Sequence, residues 1–263
     1  MNTQTKSVKT VQIANIIAFI VVLSVNVLSN ALPLNGRTAG EISDALPSYF
    51  TPAGYTFSIW LLIYIGLLGF IIYQALPAQR KRPFLPQIGL LFVLSSMINA
   101  AWLISWHYGA YFLSVIFMIS LLLTLIGIYV RLDNGRIDKP FTERLLVQVP
   151  FSLYLGWITV ATIANIASVT AYWGWNGFGI AAPIWSAIMM GAAVIIAGLL
   201  LITRSDLPYA GVLVWALFGI RAAYPETAVV ANTALIAAGL IVVPALIGLW
   251  RTRYANSITK SLA

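Results

Sequence analysis

Residues 47–64, with the sequence PSYFTPAGYTFSIWLLIY, join a loop interrupted by Pro and Gly to the start of an apolar run. Within that run Trp60 and Tyr64 are four residues apart, so a helix would place both side chains on one face. The run continues to Leu76, and an α-helix needs about 20 mostly apolar residues to cross the hydrocarbon core of a bilayer. The segment therefore predicts a membrane-spanning helix that begins beneath an aromatic loop.

The composition of the whole chain also places it in a membrane. Of the 263 residues, 60% are hydrophobic and only 8% are charged, which lies outside the range of soluble globular domains. The Lys and Arg residues lie between apolar runs and form no single patch, so a nucleic-acid partner is not expected. The chain has no Cys and a single His, so we assign no catalytic residue and no metal ligand.

Eight apolar runs are long enough to be interpreted as membrane-spanning helices. They comprise residues 11–32, 55–76, 87–106, 110–130, 145–168, 181–203, 207–223 and 227–250. The expected fold is therefore an all-α polytopic membrane protein. Lys6 and Lys9 before the first run also resemble a secretory signal, but the length of the run favours an uncleaved helix. The loop before the second run contains a candidate short helix around residues 39–45.

The basic residues predict the orientation of these helices. If all eight runs cross, thirteen Lys and Arg residues lie on one side of the membrane, and only Arg37 and Arg221 lie on the other. Basic residues concentrate on the cytoplasmic side, so both termini are expected there and the loop of residues 33–54 outside. If the run at 207–223 did not cross, eleven Lys and Arg residues would lie on one side of the membrane and four on the other, which is a weaker asymmetry. We therefore favour eight crossings, in a bacterial cytoplasmic membrane.

Asn, Trp and Tyr residues recur at helical spacing in three of the runs. The three faces carry Trp60 and Tyr64; Asn99, Trp102 and Trp106; and Pro150, Tyr154, Trp157, Ala161 and Asn165. Because lipid offers no hydrogen-bond partner, the Asn side chains should face other helices or a cavity. Interhelical hydrogen bonding explains any single Asn equally well. The convergence of three such faces favours a pocket for a flat aromatic or polycyclic ligand.

Together these residues resemble the TspO/MBR family of tryptophan-rich sensory or translocator proteins. The Pro–aromatic–Pro–Pro–Gly–Trp–x–Phe signature of its first loop, and the Trp and Tyr that follow, are similar to Pro47, Tyr49, Pro52, Ala53, Gly54, Tyr55, Phe57, Trp60 and Tyr64. The Asn-x-x-Trp of its third helix matches Asn99 and Trp102. The Pro, Trp, Ala and Asn of its fifth helix match Pro150, Trp157, Ala161 and Asn165. The resemblance covers about residues 11–170.

The resemblance implies a five-helix bundle in residues 1–170, followed by an extension of about three helices in residues 171–263. It implies a receptor or carrier for hydrophobic planar ligands, tetrapyrrole-like first and sterol-like second, with stress response among the roles proposed for the family. The expected ligand contacts are Tyr49, Pro52, Tyr55, Phe57, Trp60, Tyr64, Asn99, Trp102, Tyr154, Trp157, Ala161 and Asn165. No cofactor is required. The expected partners are the bilayer, the ligand and a second copy of the chain in a homodimer.

Two other functions stay open at this point. One is a porphyrin-degrading enzyme, in which an indole supplies electrons. The other is a membrane scaffold or assembly subunit, whose last three helices bind a partner through small residues such as those at 191–193 and 237–239. An ion-coupled transporter is disfavoured, because no Asp, Glu or Lys lies near the middle of any run.

Overall fold

A computed structural model describes residues 3–32, 34–46, 48–135 and 139–261 of the chain. These residues form eleven α-helices and no β-strand, which confirms the all-α prediction. The helices are α1 Thr3–Ala31, α2 Ala39–Asp44, α3 Ile59–Ala75, α4 Phe84–Ile88, α5 Leu91–His107, α6 Tyr111–Leu132, α7 Phe141–Glu143, α8 Val149–Tyr172, α9 Ala182–Arg204, α10 Leu207–Ala223 and α11 Ala228–Ser261. Pro47 of the loop signature and Arg136 of the charge count lie outside the described residues.

Within the described part of the chain, six helical segments are long and apolar enough to cross a membrane. They are Val8–Ser29, Gly54–Ala75, Tyr111–Leu132, Phe141–Tyr172, Ala182–Arg204 and Ala228–Ile247. The third and seventh predicted crossings correspond to α5 and α10, which have 17 residues each. A helix of that length extends about 25 Å, against a hydrocarbon core of about 30 Å.

The contacts of α10 show that this short helix runs the full height of the bundle. Near its start, the carboxylate of Asp206 accepts a hydrogen bond of 2.6 Å from Ser152 at the start of α8. Near its end, the carbonyl of Gly219 accepts a hydrogen bond of 3.0 Å from the backbone N–H of Ala53 in the first loop. The helix α10 therefore connects the end of the bundle that holds the first loop, called here the first-loop end, with the opposite end.

The helix α5 also connects the two ends. Near its start Phe92 packs edge-on against Phe70, with ring centroids 5.5 Å apart. At its end the carbonyl of His107 accepts a hydrogen bond of 3.0 Å from Asn35 in the first loop. Both short helices thus span the same two ends as the six longer ones, in agreement with the eight-helix interpretation.

The predicted start of the third run is wrong. The sequence indicated one helix over residues 87–106, but Gly89 adopts φ 52° and ψ −127°, a conformation that only glycine reaches without strain. The chain turns there, so α4 ends at Ile88 and α5 begins at Leu91. An apolar run alone does not reveal such a break.

The helix α8 lies at the centre of the bundle, where it packs against α3, α6 and α10. Its Phe151 contacts Phe70 of α3 and Phe92 of α5, with ring centroids 5.2 and 6.1 Å away. Large apolar side chains on the outer helices are exposed, among them Leu61, Ile65, Leu123, Ile195 and Ile202. Lipid is the solvent suited to such a surface. The central position of α8 places its aromatic and amide side chains inside the protein.

Candidate ligand-binding cavity

A cavity of about 40 Å³ lies between α3, α5 and α8, directly beneath the first loop. This volume has room for about three water molecules. Its walls are mostly apolar and contain four tryptophans. The lining residues are Ala39, Ser43, Pro52, Phe57, Trp60, Trp102, Trp106, Trp157, Val160, Ala161, Ala164, Asn165 and Ser168.

The helix α8 supplies one whole wall of this cavity. Its contributing residues recur at steps of three and four, so they form one helical face. That face consists of Trp157, Val160, Ala161, Ala164, Asn165 and Ser168. The large indole of Trp157 lies farthest from the first-loop end, and mostly small side chains follow it towards that end. This wall therefore leaves its free space beside the alanines.

The opposite wall comes from two indoles of α5. Trp102 and Trp106 lie one helical turn apart, and their rings stack with centroids 6.3 Å apart and an interplanar angle of 21°. The Nε1 of Trp106 donates a hydrogen bond of 3.3 Å to the carbonyl of Ala39, the first residue of α2. This bond fixes the short helix α2, which was predicted around residues 39–45, against the side of the cavity.

Aromatic rings from α3 and the loop before it close the space between these walls. The ring of Phe57 meets Trp157 edge to face at 5.7 Å, and Trp60 meets Trp157 in the same way at 6.3 Å. Behind Trp60 lie Tyr64, stacked on it at 5.7 Å, and Tyr154 at 5.9 Å. Each such pair contributes about 0.5–1.5 kcal/mol beyond the area that it buries.

Three polar atoms of the lining residues are buried without a hydrogen-bond partner among the described residues. They are Nε1 of Trp102, Nε1 of Trp157 and Oγ of Ser168. A buried donor left unpaired costs about 1–3 kcal/mol. Two N–H donors and one hydroxyl of the lining residues therefore lack a hydrogen-bond partner in this conformation.

Seven of the twelve predicted contact residues line the cavity. They are Pro52, Phe57, Trp60, Trp102, Trp157, Ala161 and Asn165. Of the other five, Asn99 joins three helices. Its Oδ1 accepts a hydrogen bond of 2.9 Å from Asn26 of α1, and its Nδ2 donates a hydrogen bond of 3.0 Å to the Tyr154 hydroxyl of α8. In the structure Asn99 thus has the interhelical role that the sequence left open for it, while Tyr64 and Tyr154 lie behind Trp60.

The remaining two predicted contacts, Tyr49 and Tyr55, face the C-terminal helices. The ring of Tyr49 lies 5.2 Å from that of Tyr224, just after α10. The ring of Tyr55 is 51% exposed and packs edge-on against Trp215 of α10 at 5.5 Å. Their side chains connect the first loop to α10 and do not line the cavity.

Four hydrogen bonds hold the segment of residues 48–58, called here the lid, to α9 and α10. Three have the donor in the C-terminal helices or just after them, and one has it in the lid. They run from Ser186 Oγ to Tyr49 O at 2.7 Å, from Trp215 Nε1 to Thr56 O at 2.9 Å, from Tyr224 Oη to Ser48 O, and from Ala53 N to Gly219 O at 3.0 Å. The helices after residue 170 therefore position the cover of the cavity.

The lid bond from Tyr224 requires a protonated phenol. Burial raises the pKa of Tyr224, and the electrostatic influence of the neighbouring Asp44 and Tyr49 raises it further. A group with a raised pKa stabilises the folded state below its ordinary pKa, and this contribution is lost as the pH rises through the folded value. The hydroxyl consequently stays a donor at neutral pH.

Sequence reasoning missed six of the lining residues. Val160, Ala164 and Ser168 continue the helical face of Trp157, Ala161 and Asn165, so extending that periodicity would have found them. Trp106 shares the helical face of Asn99 and Trp102, but the family motif does not include it, so the sequence does not predict it as a ligand contact. For Ala39 and Ser43 the sequence carries no signal, because only the tertiary fold brings α2 to the cavity.

We expect Asn99→Leu to lower the thermal stability of the protein in detergent. The variant removes the bonds to Asn26 and Tyr154 and leaves the buried Tyr154 hydroxyl without this partner, at a cost of about 1–3 kcal/mol. The matched control is Ser120→Ala, because Ser120 is only partly buried and its hydroxyl donates to the carbonyl of Ile116 in its own helix. Equal melting temperatures for the two variants would contradict the interhelical role of Asn99.

Comparison with family models identifies the chain. The family described as TSPO-like protein matches residues 12–247, about nine tenths of the sequence. The match runs from α1 through most of α11, so it includes the C-terminal helices that hold the lid. Comparisons with curated proteins and with solved structures found no match. The chain belongs to the TSPO-like family and is an integral membrane protein.

Proposed function

We propose that this protein is a membrane receptor or carrier for a hydrophobic planar ligand that carries hydrogen-bond acceptors at its edge. The preferred class is a tetrapyrrole such as protoporphyrin, followed by sterol-like molecules. The observation that carries the proposal is the convergence of Trp60, Trp102, Trp106 and Trp157 on one cavity beneath a lid. Membership of the TSPO-like family supports the receptor or carrier class.

The chemistry of the cavity favours a flat ligand with an acceptor-rich edge. Indole faces stack on extended π systems, and Ala161 and Ala164 leave room beside them. The unpaired N–H groups of Trp102 and Trp157 can donate to carboxylate or carbonyl oxygens. A sterol would use the apolar walls but would satisfy fewer of these donors, which is why the tetrapyrrole class comes first.

Ligand entry requires the cavity to expand. Pockets for drug-sized ligands have volumes of about 300–1,000 Å³, whereas this cavity has about 40 Å³. Phe57 contacts Trp157 directly and belongs to the lid, so movement of the lid separates the two rings and opens the space between them. The described conformation is accordingly the closed one, and the ligand selects a more open form.

A fluorescence titration with protoporphyrin IX tests the proposal in the detergent-solubilised full chain. Wild-type tryptophan emission should be quenched in a saturable manner. Trp157→Ala should weaken binding about tenfold to a hundredfold, because burial of a large side chain is worth about 1.5–3 kcal/mol.

The matched control for this titration is Trp173→Ala, which removes an indole that is 56% exposed and does not line the cavity. Both variants retain the same number of tryptophans, so their quenching curves are directly comparable. The control should bind as the wild type does. Identical curves for the two variants would contradict the assignment of the cavity.

A further inference from the structure

A second cleft lies at the first-loop end, between α10 and α11, and has a volume of about 470 Å³. Phe218 and Arg221 of α10 form one side, and Asn232 of α11 lies on the other. The cleft is also lined by Tyr55 of the lid, by Pro225 between the two helices, and by alanines of α10 and α11. The cleft shares no lining residue with the tryptophan cavity, so a ligand there is a separate occupant.

The feature that marks this cleft is the charge of Arg221. Its Nη1 donates a hydrogen bond of 3.2 Å to the carbonyl of Ala231. Among the described residues no carboxylate forms an ion pair with it; Glu226, five residues further along, does not line the cleft. A guanidinium has five N–H donors in a planar fork, so several remain to bind an anion.

The surroundings of Arg221 suit an amphiphile more than a fully hydrated ion. Tyr55 and Phe218 are 51% and 44% exposed, and they offer apolar surface to an acyl chain beside the charged group. The side chain of Asn232 is exposed on the facing helix and supplies a neutral amide donor. Guanidinium groups bind phosphate and carboxylate oxygens in a bidentate manner.

We propose that the cleft between α10 and α11 binds the anionic headgroup of an amphiphile, a phosphate or a carboxylate, through Arg221 and Asn232. The occupant approaches from the membrane surface at the first-loop end, with its chains beside Phe218. This site is independent of the tryptophan cavity and of the ligand proposed for it.

Native mass spectrometry of the full chain in neutral detergent tests this site. The probes are phosphatidylglycerol, which is anionic, and phosphatidylcholine, which is zwitterionic, at equal concentrations. The wild type should retain one phosphatidylglycerol at least about tenfold more strongly than phosphatidylcholine, a difference equivalent to about 1.4 kcal/mol. Arg221→Gln should lose this preference, and Arg221→Lys should keep part of it, because the positive charge is retained but the bidentate fork is lost.

The matched control is Arg37→Gln, since Arg37 is the other basic residue predicted on this side and does not line the cleft. Asn232→Asp is a second test that leaves the bond between Arg221 and Ala231 intact, and its added negative charge should abolish the preference. If inorganic phosphate displaces the lipid, the anion alone suffices for binding; if it does not, the site requires the whole amphiphile. Equal lipid preference in the wild type, Arg221→Gln and Asn232→Asp would overturn the proposal, whatever the outcome of the porphyrin titration.

Discussion

Gly219→Ala is expected to detach the lid from α10 and to expose the tryptophan cavity. A Cβ atom at Gly219 would lie 2.9 Å from Cβ of Pro52 and still closer to Oγ1 of Thr56. Both neighbours belong to the lid, whose Ala53 N–H also bonds the carbonyl of Gly219. The lid must therefore move, and overpacking of this kind costs about 1–3 kcal/mol.

Cysteine labelling measures this opening directly, because the chain contains no native Cys. Ser43→Cys places a thiol in the lining of the cavity, where a water-soluble maleimide reaches it only when the lid opens. We expect Gly219→Ala to raise the labelling rate about tenfold or more, in line with a lid destabilised by at least 1.4 kcal/mol.

The matched control for this change is Gly211→Ala. It adds the same methyl group to the same helix, but no heavy atom lies within 4 Å of its Cβ position. The control should label as slowly as the parent Ser43→Cys protein. Equal rates in the two alanine variants would show that contact with α10 does not close the lid.

The second large effect is expected from Ala161→Trp, which should abolish ligand binding. Ala161 lies on the wall of α8 beside the free space of about 40 Å³, and an indole there occupies the position of the ligand. Protoporphyrin affinity, measured by the change in its visible absorption, should fall about a hundredfold or more, equivalent to about 2.7 kcal/mol.

The control variant is Ile166→Trp, which adds an indole to the same helix at an exposed position that does not line the cavity. It should bind protoporphyrin as tightly as the wild type. A melting curve for each variant separates loss of the site from loss of the fold, since overpacking costs about 1–3 kcal/mol. Wild-type affinity in a folded Ala161→Trp protein would contradict the location of the site.

The parts of the site that the sequence predicts are those set by local periodicity. Trp157, Ala161 and Asn165 follow one another at steps of four, and the structure places all three along the cavity. The eight-helix interpretation has a similar basis, because the positive-inside count does not depend on packing. Both inferences use information that lies within a few turns of one helix or in the charges of its flanking loops.

Long-range pairings are what the sequence could not reveal. Asn99 bonds Asn26, which is 73 residues away, and Tyr49 accepts a hydrogen bond from Ser186, which is 137 residues away. Neither pairing has a spacing signature, so the attachment of the first loop to α9 at the Tyr49 carbonyl could not be inferred. The helix break at Gly89 could not be predicted for a different reason. An apolar run shows the composition of a segment but does not determine the φ angle of a single glycine within it.

The location of bound protoporphyrin is the most direct test of the account. Illuminated protoporphyrin generates singlet oxygen, which oxidises the tryptophans nearest to it, and peptide mass spectrometry identifies the oxidised residues. At equimolar ligand and short illumination, we expect oxidation first at the buried Trp102 and Trp157. Oxidation first at Trp173 and Trp175, which are 56% and 44% exposed, would place the ligand outside the cavity and contradict the proposed binding site.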